Sequence, residues 1–297
     1  MKELIKIGTR GSDLALWQAH FVKSELEKLG CEVVLNIIKT QGDKIQHLSF
    51  DKLEGKGFFT KEIEDVLINK EVDLAVHSHK DLETNQPEGL EIVAVSDRED
   101  PADILLIKRS AVDQSKSLVL KEGAIVGTSS ARRKSLLHAF RSDLEIKDLR
   151  GNVPTRIEKL RNENYDAIVL ANAGVTRLKL DLSDFHFERL DPKEFVPAPA
   201  QGVLGLQIRS NDDRVRNIVS KINNEKVKDL INIERGVLNK LNGGCQLPLG
   251  VYAEKEGNEF KVWTSLGRKD GTLTRFQASF NEVEGASDTI VNALKKK

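Results

Sequence analysis

The chain has 297 residues, of which 46 are Lys or Arg and 46 are Asp or Glu, so its formal net charge is zero. This length predicts two or three folded domains, and the 31% charged content with only seven prolines argues against a disordered chain. No apolar run approaches the roughly 20 residues that cross a bilayer, the first residues show no export signal, and the neutral balance disfavours a nucleic-acid-binding protein. We therefore expect a cytoplasmic protein that binds neither nucleic acid nor membrane.

The first hundred residues alternate strand and helix patterns, which predicts a parallel α/β layer. A short apolar strand ending at Ile7 is followed by a helix that begins after Ser12, a typical N-cap residue, and ends at Gly30. The other predicted elements are a helix at 60–69 and strands at 31–39, 72–76 and 90–95. Residues 42–57 follow no period, and we expect them to be mobile.

A charged connector at 97–101 precedes a second α/β layer. Its predicted elements are helices at 132–140 and from about 153, and strands at 104–107, 124–126, 144–147 and 167–170. The chain then passes Pro197 and Pro199, after which a strand at 203–208 is predicted to return to the first layer.

The last part of the chain predicts a small α+β domain. Three alternating strands are centred on Val251, Val262 and Phe276, with a hairpin turn at 269–272, and helices are predicted at 212–222, at 225–241 and at the C-terminus. The whole chain is therefore predicted to hold two α/β domains and one small α+β domain with a three-stranded antiparallel sheet. The predicted bounds are 1–97 with 199–217 for domain 1, 102–195 for domain 2 and 221–297 for domain 3.

Polar side chains, most of them hydroxyl or cationic, follow the predicted strands at their carboxyl ends, where α/β sheets bind ligands. They are Thr9, Arg10 and Ser12; Ser78, Lys80 and Asp81; Thr128, Ser129, Ser130, Arg132 and Arg133; Arg150, Asn152 and Arg156; and Arg177. Singly, each Ser or Thr is more often a plain helix cap, and each Arg is more often solvated. Their recurrence after at least four strands predicts a cleft for carboxylates. The charge distribution agrees, since 43–103 hold 7 basic and 16 acidic residues whereas 127–177 hold 10 basic and 6 acidic.

Asp81 is a carboxylate within a hydroxyl and lysine setting. It could stabilise a developing cation or move a proton, or it could simply pair with Lys80 or cap the next turn. His77 and His79 would face opposite ways on an extended strand, which argues against a shared metal ion, so no metal is expected. Of the two cysteines, Cys31 fits a core strand, whereas Cys245 follows Gly243 and Gly244 on a tight loop, where a reactive thiol and a buried one are about equally expected.

Six segments in order along nearly the whole chain resemble the hydroxymethylbilane synthase family, also called porphobilinogen deaminase. They are TRGSDLALWQ (9–18), DLAVHSHKD (73–81), GTSSARR (127–133), LRGNVPTR (149–156), PAQG (199–202) and GGCQLP (243–248). The resemblance implies two domains similar to periplasmic binding proteins and a third that carries a dipyrromethane cofactor on a cysteine, which is Cys245 here. It implies a transferase of tetrapyrrole and heme biosynthesis, active as a monomer. The enzyme joins four porphobilinogen molecules head to tail, releases ammonia at each addition and frees the linear hydroxymethylbilane by hydrolysis.

The resemblance also assigns roles to the strand-end residues. Asp81 is the expected catalytic carboxylate, which stabilises the azafulvene cation left when ammonia departs. The expected cofactor-binding residues are Cys245, Ser78, Lys80, Asp81, Thr128, Ser129, Ser130, Arg132, Arg133, Arg150 and Gly151. The expected substrate-binding residues, for the acetate and propionate groups, are Arg10, Ser12, Gln18, Arg156 and Arg177.

The chain departs from the family pattern at a few positions beside these motifs. His79 stands where an apolar residue is usual, Gln41 where many relatives have Arg, and Glu83 where proline is common. The resemblance implies that the 42–57 segment shifts as the bound chain lengthens, and the role of this lid segment, with Lys56 and Lys61, is less secure than the roles of Asp81 and Cys245. The competing class is a binding module of two periplasmic-binding-like domains that sequesters a small anion without catalysis. The Gly-Gly-Cys loop and the absence of an export signal favour the enzyme.

Overall fold

The computed structural model describes residues 2–40, 60–244 and 246–296. These residues form two compact units, one made of 2–40, 60–99 and 202–229 and the other of 100–201, 230–244 and 246–296. In chain order the elements are β1 (Leu4–Thr9), α1 (Asp13–Lys28), β2 (Glu32–Ile37), α2 (Lys61–Ile68), β3 (Leu74–Ser78), β4 (Leu90–Val95), β5 (Asp103–Lys108), β6 (Ile125–Gly127), α3 (Ala131–Phe140), β7 (Glu145–Lys147), α4 (Val153–Asn162), β8 (Ala167–Ala171), α5 (Asn172–Leu178), β9 (Phe185–Arg189), β10 (Leu204–Arg209), α6 (Asp213–Val219), α7 (Glu225–Lys240), β11 (Leu249–Glu256), β12 (Glu259–Gly267), β13 (Leu273–Phe280) and α8 (Ala286–Lys296).

The first unit is built on a five-stranded sheet of order β2-β1-β3-β10-β4. β1 runs parallel to β2 and β3, but β10 pairs antiparallel with both β3 and β4. The four strands of the first hundred residues, β1 to β4, therefore all run in one direction, as predicted, and the predicted return of the strand at 203–208 to this sheet is confirmed, although that strand enters antiparallel. More than a hundred residues separate β10 from β4, so no short helical crossover forces the two strands to run parallel. Helix α1 covers one face through Ala19, Val22 and Leu26.

The second unit contains a sheet of order β7-β6-β8-β5-β9, in which β6 is parallel to β7 and β8 while β5 is antiparallel to β8 and β9. β5 is apolar and fully buried from Ile104 to Ile107, as a central strand covered on both faces requires. The short β9 and α5 were not predicted.

The same unit holds the predicted three-stranded antiparallel sheet, of order β11-β12-β13. Two glycines let this sheet lie close to its surroundings: a Cβ at Gly267 would lie 2.3 Å from Ser135 Oγ of α3, and one at Gly250 would lie 2.5 Å from the carbonyl oxygen of Val196. Buried Glu234 of α7 accepts hydrogen bonds from the backbone N–H groups of Ala200 (2.7 Å) and Ala253 (2.8 Å). The predicted fold class, α/β with a small α+β part, is confirmed, while the three-domain bounds stay a prediction.

No helix among the described residues is long and apolar enough to span a membrane.

Candidate functional site

The turn that carries Asp81 follows strand β3 directly. Residues His79–Asp81 form one turn of 3-10 helix, in which the backbone N–H of His79 donates to the carbonyl of Val203 (2.9 Å) and that of Leu82 donates to the carbonyl of His79 (3.2 Å). His79 and Leu82 are buried, Lys80 is half-buried and Asp81 is exposed. The buried side chains on both sides fix the backbone of the turn, while Asp81 stays exposed.

His79 packs within this turn although the family pattern has an apolar residue there. A Cβ at Gly205 of β10 would lie 2.9 Å from Leu82 Cδ1 and 3.2 Å from His79 Cδ2, so the glycine allows β10 to approach both side chains. The imidazole ring of His79 is therefore buried at a position where the family pattern has an apolar side chain.

Ser78, the last residue of β3, contacts helix α1. The amide Nε2 of Gln18 donates to Ser78 Oγ at 2.8 Å, and Gln18 is only 3% exposed. Ser12 caps α1, because its Oγ accepts from the backbone N–H of Ala15 at 3.4 Å. Arg10 is half-buried just beyond β1. The structure therefore brings Gln18 and Ser78 together, and it gives Ser12 the capping role that was the plainer expectation.

A buried polar network that the sequence did not indicate lies on the α2 side of this sheet. Gln207 of β10 donates from Nε2 to Glu64 Oε1 (3.0 Å) and to Gln86 Oε1 (2.8 Å), while its Oε1 lies 3.2 Å from His77 Nε2. Because the amide nitrogen faces two acceptors, the His77 proton must be on Nε2. Burial, with a contribution from the charge of Arg10, lowers the pKa of His77 to about 4, so the ring is neutral. Burial also raises the pKa of Glu64.

In the second unit, the hydroxyl groups after β6 bind local backbone. Ser130 caps α3 by accepting from the N–H of Arg133 (3.5 Å), and Thr128 Oγ1 accepts from the N–H of Ser130 (3.2 Å). Ser129 Oγ exchanges two hydrogen bonds of 3.1 Å with the backbone of Leu149. These contacts hold the β6–α3 turn against the turn that follows β7.

The adjacent arginines of α3 share one buried carboxylate, that of Asp103, which sequence reasoning missed. Asp103 is fully buried, with its Oδ2 2.8 Å from Arg132 Nη1 and its Oδ1 2.7 Å from Arg133 Nη2. Burial alone would raise the pKa of the Asp103 carboxyl, but the two guanidinium groups hold it well below its usual range. The signal was present in the sequence as a charged residue beginning an otherwise apolar strand.

The two arginines use different parts of their guanidinium groups. Arg133 also donates from Nη1 to the carbonyl of Val169 (3.0 Å). With the bond from Nη2 to Asp103, both of its terminal nitrogens are hydrogen-bonded. Arg132 makes its contacts with Asp103 and with the carbonyl of Val196 (2.8 Å) through Nη1. Within the described part of the chain, these contacts leave the Nε–Nη2 edge of Arg132 for another acceptor.

The turn after β7 carries the next predicted residues. Gly151 has φ +116°, a left-handed conformation that favours glycine, and its carbonyl accepts from Arg156 Nε at 2.7 Å. Asn152 caps α4 by accepting from the N–H of Thr155 (2.9 Å). Arg150 and Arg156 are half-buried, and Arg177 lies on α5 with 8% exposure.

Several predictions concern residues that lie outside the described ranges. They are Cys245, the 42–57 segment, Gln41 and Lys56. The neighbours of Cys245 are described: a Cβ at Gly243 would lie 2.6 Å from Leu247 Cδ2 and 2.7 Å from Leu238 Cδ1, so the loop needs glycine there. Across residues 2–40, 60–244 and 246–296, no group of three His, Cys, Asp or Glu side chains has the placement of a metal site.

Comparison with known proteins shows which family this chain matches. Residues 5–217 match the family described as porphobilinogen deaminase, dipyromethane cofactor binding domain, and residues 229–296 match the porphobilinogen deaminase C-terminal domain. The chain is 43% identical over 273 residues to the porphobilinogen deaminase of Chloroherpeton thalassium, covering 91% of this chain and 85% of that one. It is 44% identical over 274 residues to that of Oceanobacillus iheyensis, covering 92% and 87%.

Solved structures with a similar course of the chain include periplasmic binding proteins. An ancestral arginine-binding protein bound to glutamine has a TM-score of 0.42 and 17% identity, covering 77% of this chain and 94% of that one. The L-cystine solute receptor of Neisseria gonorrhoeae has a TM-score of 0.42 and 15% identity, covering 82% and 95%. Scores of this size carry no argument about ligand or activity, whereas the sequence matches span nearly the whole chain. The chain belongs to the porphobilinogen deaminase family.

Proposed function

We propose that this chain carries out the porphobilinogen deaminase reaction with Asp81 as its catalytic carboxylate. The reaction condenses four porphobilinogen molecules onto a dipyrromethane primer, releases ammonia at each addition and ends in hydrolysis to linear hydroxymethylbilane. The observation that carries the assignment of Asp81 is its exposed carboxylate on a turn whose flanking residues, His79 and Leu82, are buried.

The chemistry of the donor set fits a dipyrromethane group, which brings several acetate and propionate carboxylates. Arg132 and Arg133 balance only one carboxylate, that of Asp103, so this buried cluster keeps one positive charge in excess. Arg150 in the turn after β7, Arg156 in the first turn of α4 and Arg177 in the last turn of α5 add further cations. When attached through Cys245, dipyrromethane supplies the free pyrrole carbon at which the product chain grows.

Asp81 would act on the positive charge that develops on porphobilinogen as ammonia leaves. An ionised carboxylate held in place stabilises such a cation without reorganising, and it can accept the proton released after coupling. Lys80 would keep the neighbouring carboxylate groups of the ligands in place. Because the turn is fixed by buried residues, its geometry is set before the substrate arrives.

The arginines would bind carboxylates with different strength. Arg132 presents its Nε–Nη2 edge, which matches the two oxygens of a carboxylate, and a charge-assisted hydrogen bond contributes about 1.5–3 kcal/mol. Arg133 is held by Asp103 and Val169, so its proposed contribution to cofactor binding is chiefly to place Asp103 and Arg132. Arg10, Arg156 and Arg177 are proposed to hold substrate carboxylates.

The test of the proposed function is an intact-mass measurement of the purified protein with a turnover assay on porphobilinogen. We expect the mass of one covalent dipyrromethane, and its loss in a Cys245→Ser variant. A Cys31→Ser variant is the matched control, because Cys31 is a core residue of the first unit and should leave the added mass unchanged. A wild-type chain at its bare sequence mass without turnover would support the binding module instead. We further propose a monomer in the cytoplasm, which sedimentation and cell fractionation would test.

A further inference from the structure

Gln18 was predicted to bind substrate, but in the structure it is buried and hydrogen-bonded to Ser78. Its side chain is 3% exposed, and its Nε2 donates to Ser78 Oγ at 2.8 Å. An amide NH₂ group can only donate, so the serine oxygen accepts this hydrogen bond and its own proton must point to a different acceptor. The contact therefore determines which way the hydroxyl group of Ser78 points.

Two neighbours of Ser78 in the sequence, His77 and Lys80, offer no acceptor that would turn its hydroxyl proton away from a ligand. The preceding side chain, His77, faces the other side of the sheet and is bonded to Gln207. Lys80 carries an ammonium group, which is also only a donor. A hydroxyl whose proton points away from Gln18, two residues before a lysine, favours a ligand that brings acceptors, and a carboxylate brings only acceptors.

We propose that Gln18 is a positioning residue that makes Ser78 a dedicated hydrogen-bond donor, so that this end of β3 selects carboxylate substituents over groups that donate. The inference deepens the proposed function and rests on it, since the carboxylate in question is an acetate or propionate of the bound pyrroles. It replaces the predicted direct contact of Gln18 with substrate by an action through Ser78.

The first experiment is a double-mutant cycle in the holoenzyme with Gln18→Met, Ser78→Ala and the double variant, measured as kcat and KM for porphobilinogen. Methionine keeps the length of glutamine but cannot donate. We expect Gln18→Met to raise KM by about 2–10-fold, the range of one neutral hydrogen bond, with kcat within about twofold. In the Ser78→Ala background the same change should alter KM by less than about twofold, because there is no hydroxyl left to direct. Equal factors in both backgrounds would overturn the proposal.

The second experiment reverses the polarity of the contact. Gln18→Glu keeps the shape of the side chain but offers only acceptors at neutral pH, so the Ser78 proton would turn toward it and away from the ligand. We expect a larger rise in KM than for Gln18→Met, and a smaller rise when Ser78 is alanine. If Gln18→Glu were tolerated better than Gln18→Met, the hydroxyl would donate toward residue 18 and the proposal would be wrong.

Melting temperature and cofactor mass serve as controls in every variant, and His20→Ala, an exposed change on the same helix, is the matched control expected to leave KM unchanged. Should Gln18→Met fail to fold, Gln18→Glu completes the same cycle. A wild-type enzyme without covalent dipyrromethane or turnover would instead contradict the proposed function, so the two failures are distinguishable.

Discussion

Replacing Asp103 by asparagine should destabilise the second unit strongly. Asp103 is fully buried between the guanidinium groups of Arg132 and Arg133, at 2.8 and 2.7 Å. Asparagine keeps the size of the side chain but leaves two buried cations without a counter-charge. Removing one partner of a buried ion pair costs about 3–5 kcal/mol of the free energy of unfolding.

The pH dependence of this loss follows from the depressed pKa of Asp103 in the folded chain. A carboxylate with a lowered folded pKa contributes stability that is complete above its unfolded pKa, about 3.9, and that is lost as the pH falls toward the folded value. The difference in unfolding free energy between wild type and Asp103→Asn should therefore be constant between about pH 5 and 8 and shrink below about pH 4.

The assay is urea unfolding of both proteins across this pH range, with Asp148→Asn as the matched control. Asp148 lies in the same unit and pairs with Lys134 at 2.7 Å, but the two side chains are 45% and 35% exposed. An exposed pair contributes about 0–1 kcal/mol, so the control should change little. If Asp103→Asn lost no more stability than Asp148→Asn, the reasoning from the buried ion pair would be refuted.

Three further outcomes are expected. Asp81→Asn should keep the melting temperature and the cofactor mass but reduce kcat by at least about 100-fold, the scale of acid–base and electrostatic contributions; near-normal turnover would remove Asp81 from the mechanism. Arg132→Ala should leave much of the purified protein without dipyrromethane by intact mass, and full occupancy would show that its free edge holds no cofactor carboxylate. His77, with a pKa of about 4 when folded and 6.5 when unfolded, should destabilise the fold progressively as the pH falls from 6.5 to 4, by up to about 3 kcal/mol. His77→Gln should flatten that part of the stability profile, and an unchanged slope would assign it to another group.

The sequence predicted the positions of strands and turns well, because apolar runs and cap residues are local signals. The turn after β3 and the cap at Ser12 could be identified from a few neighbouring residues. The direction of β10 could not, since it depends on pairing with β3 and β4, which lie more than a hundred residues earlier. Phe185–Arg189 does alternate apolar and polar residues, but its five residues were too few to stand out.

The distinction between neighbouring site residues was likewise beyond the sequence. Arg132 and Arg133 are chemically identical, and only the placement of Asp103, Val169 and Val196 gives one of them an open edge. Gln18 was predicted to bind substrate, but a sequence pattern does not tell a ligand contact from a buried side chain that donates to Ser78.

The place of β10 in its sheet has a consequence for biosynthesis. This strand lies between β3 and β4, yet the ribosome makes it only after the whole 100–201 segment of the other unit. At a synthesis rate of about 5–20 residues per second, β10 is made on the order of 10 s after β4. During that interval both present unpaired backbone edges, which are templates for aggregation. The 100–201 part of the second unit can therefore fold before the first unit is complete, and expression yield should depend on chaperones that protect the emerging N-terminal segment.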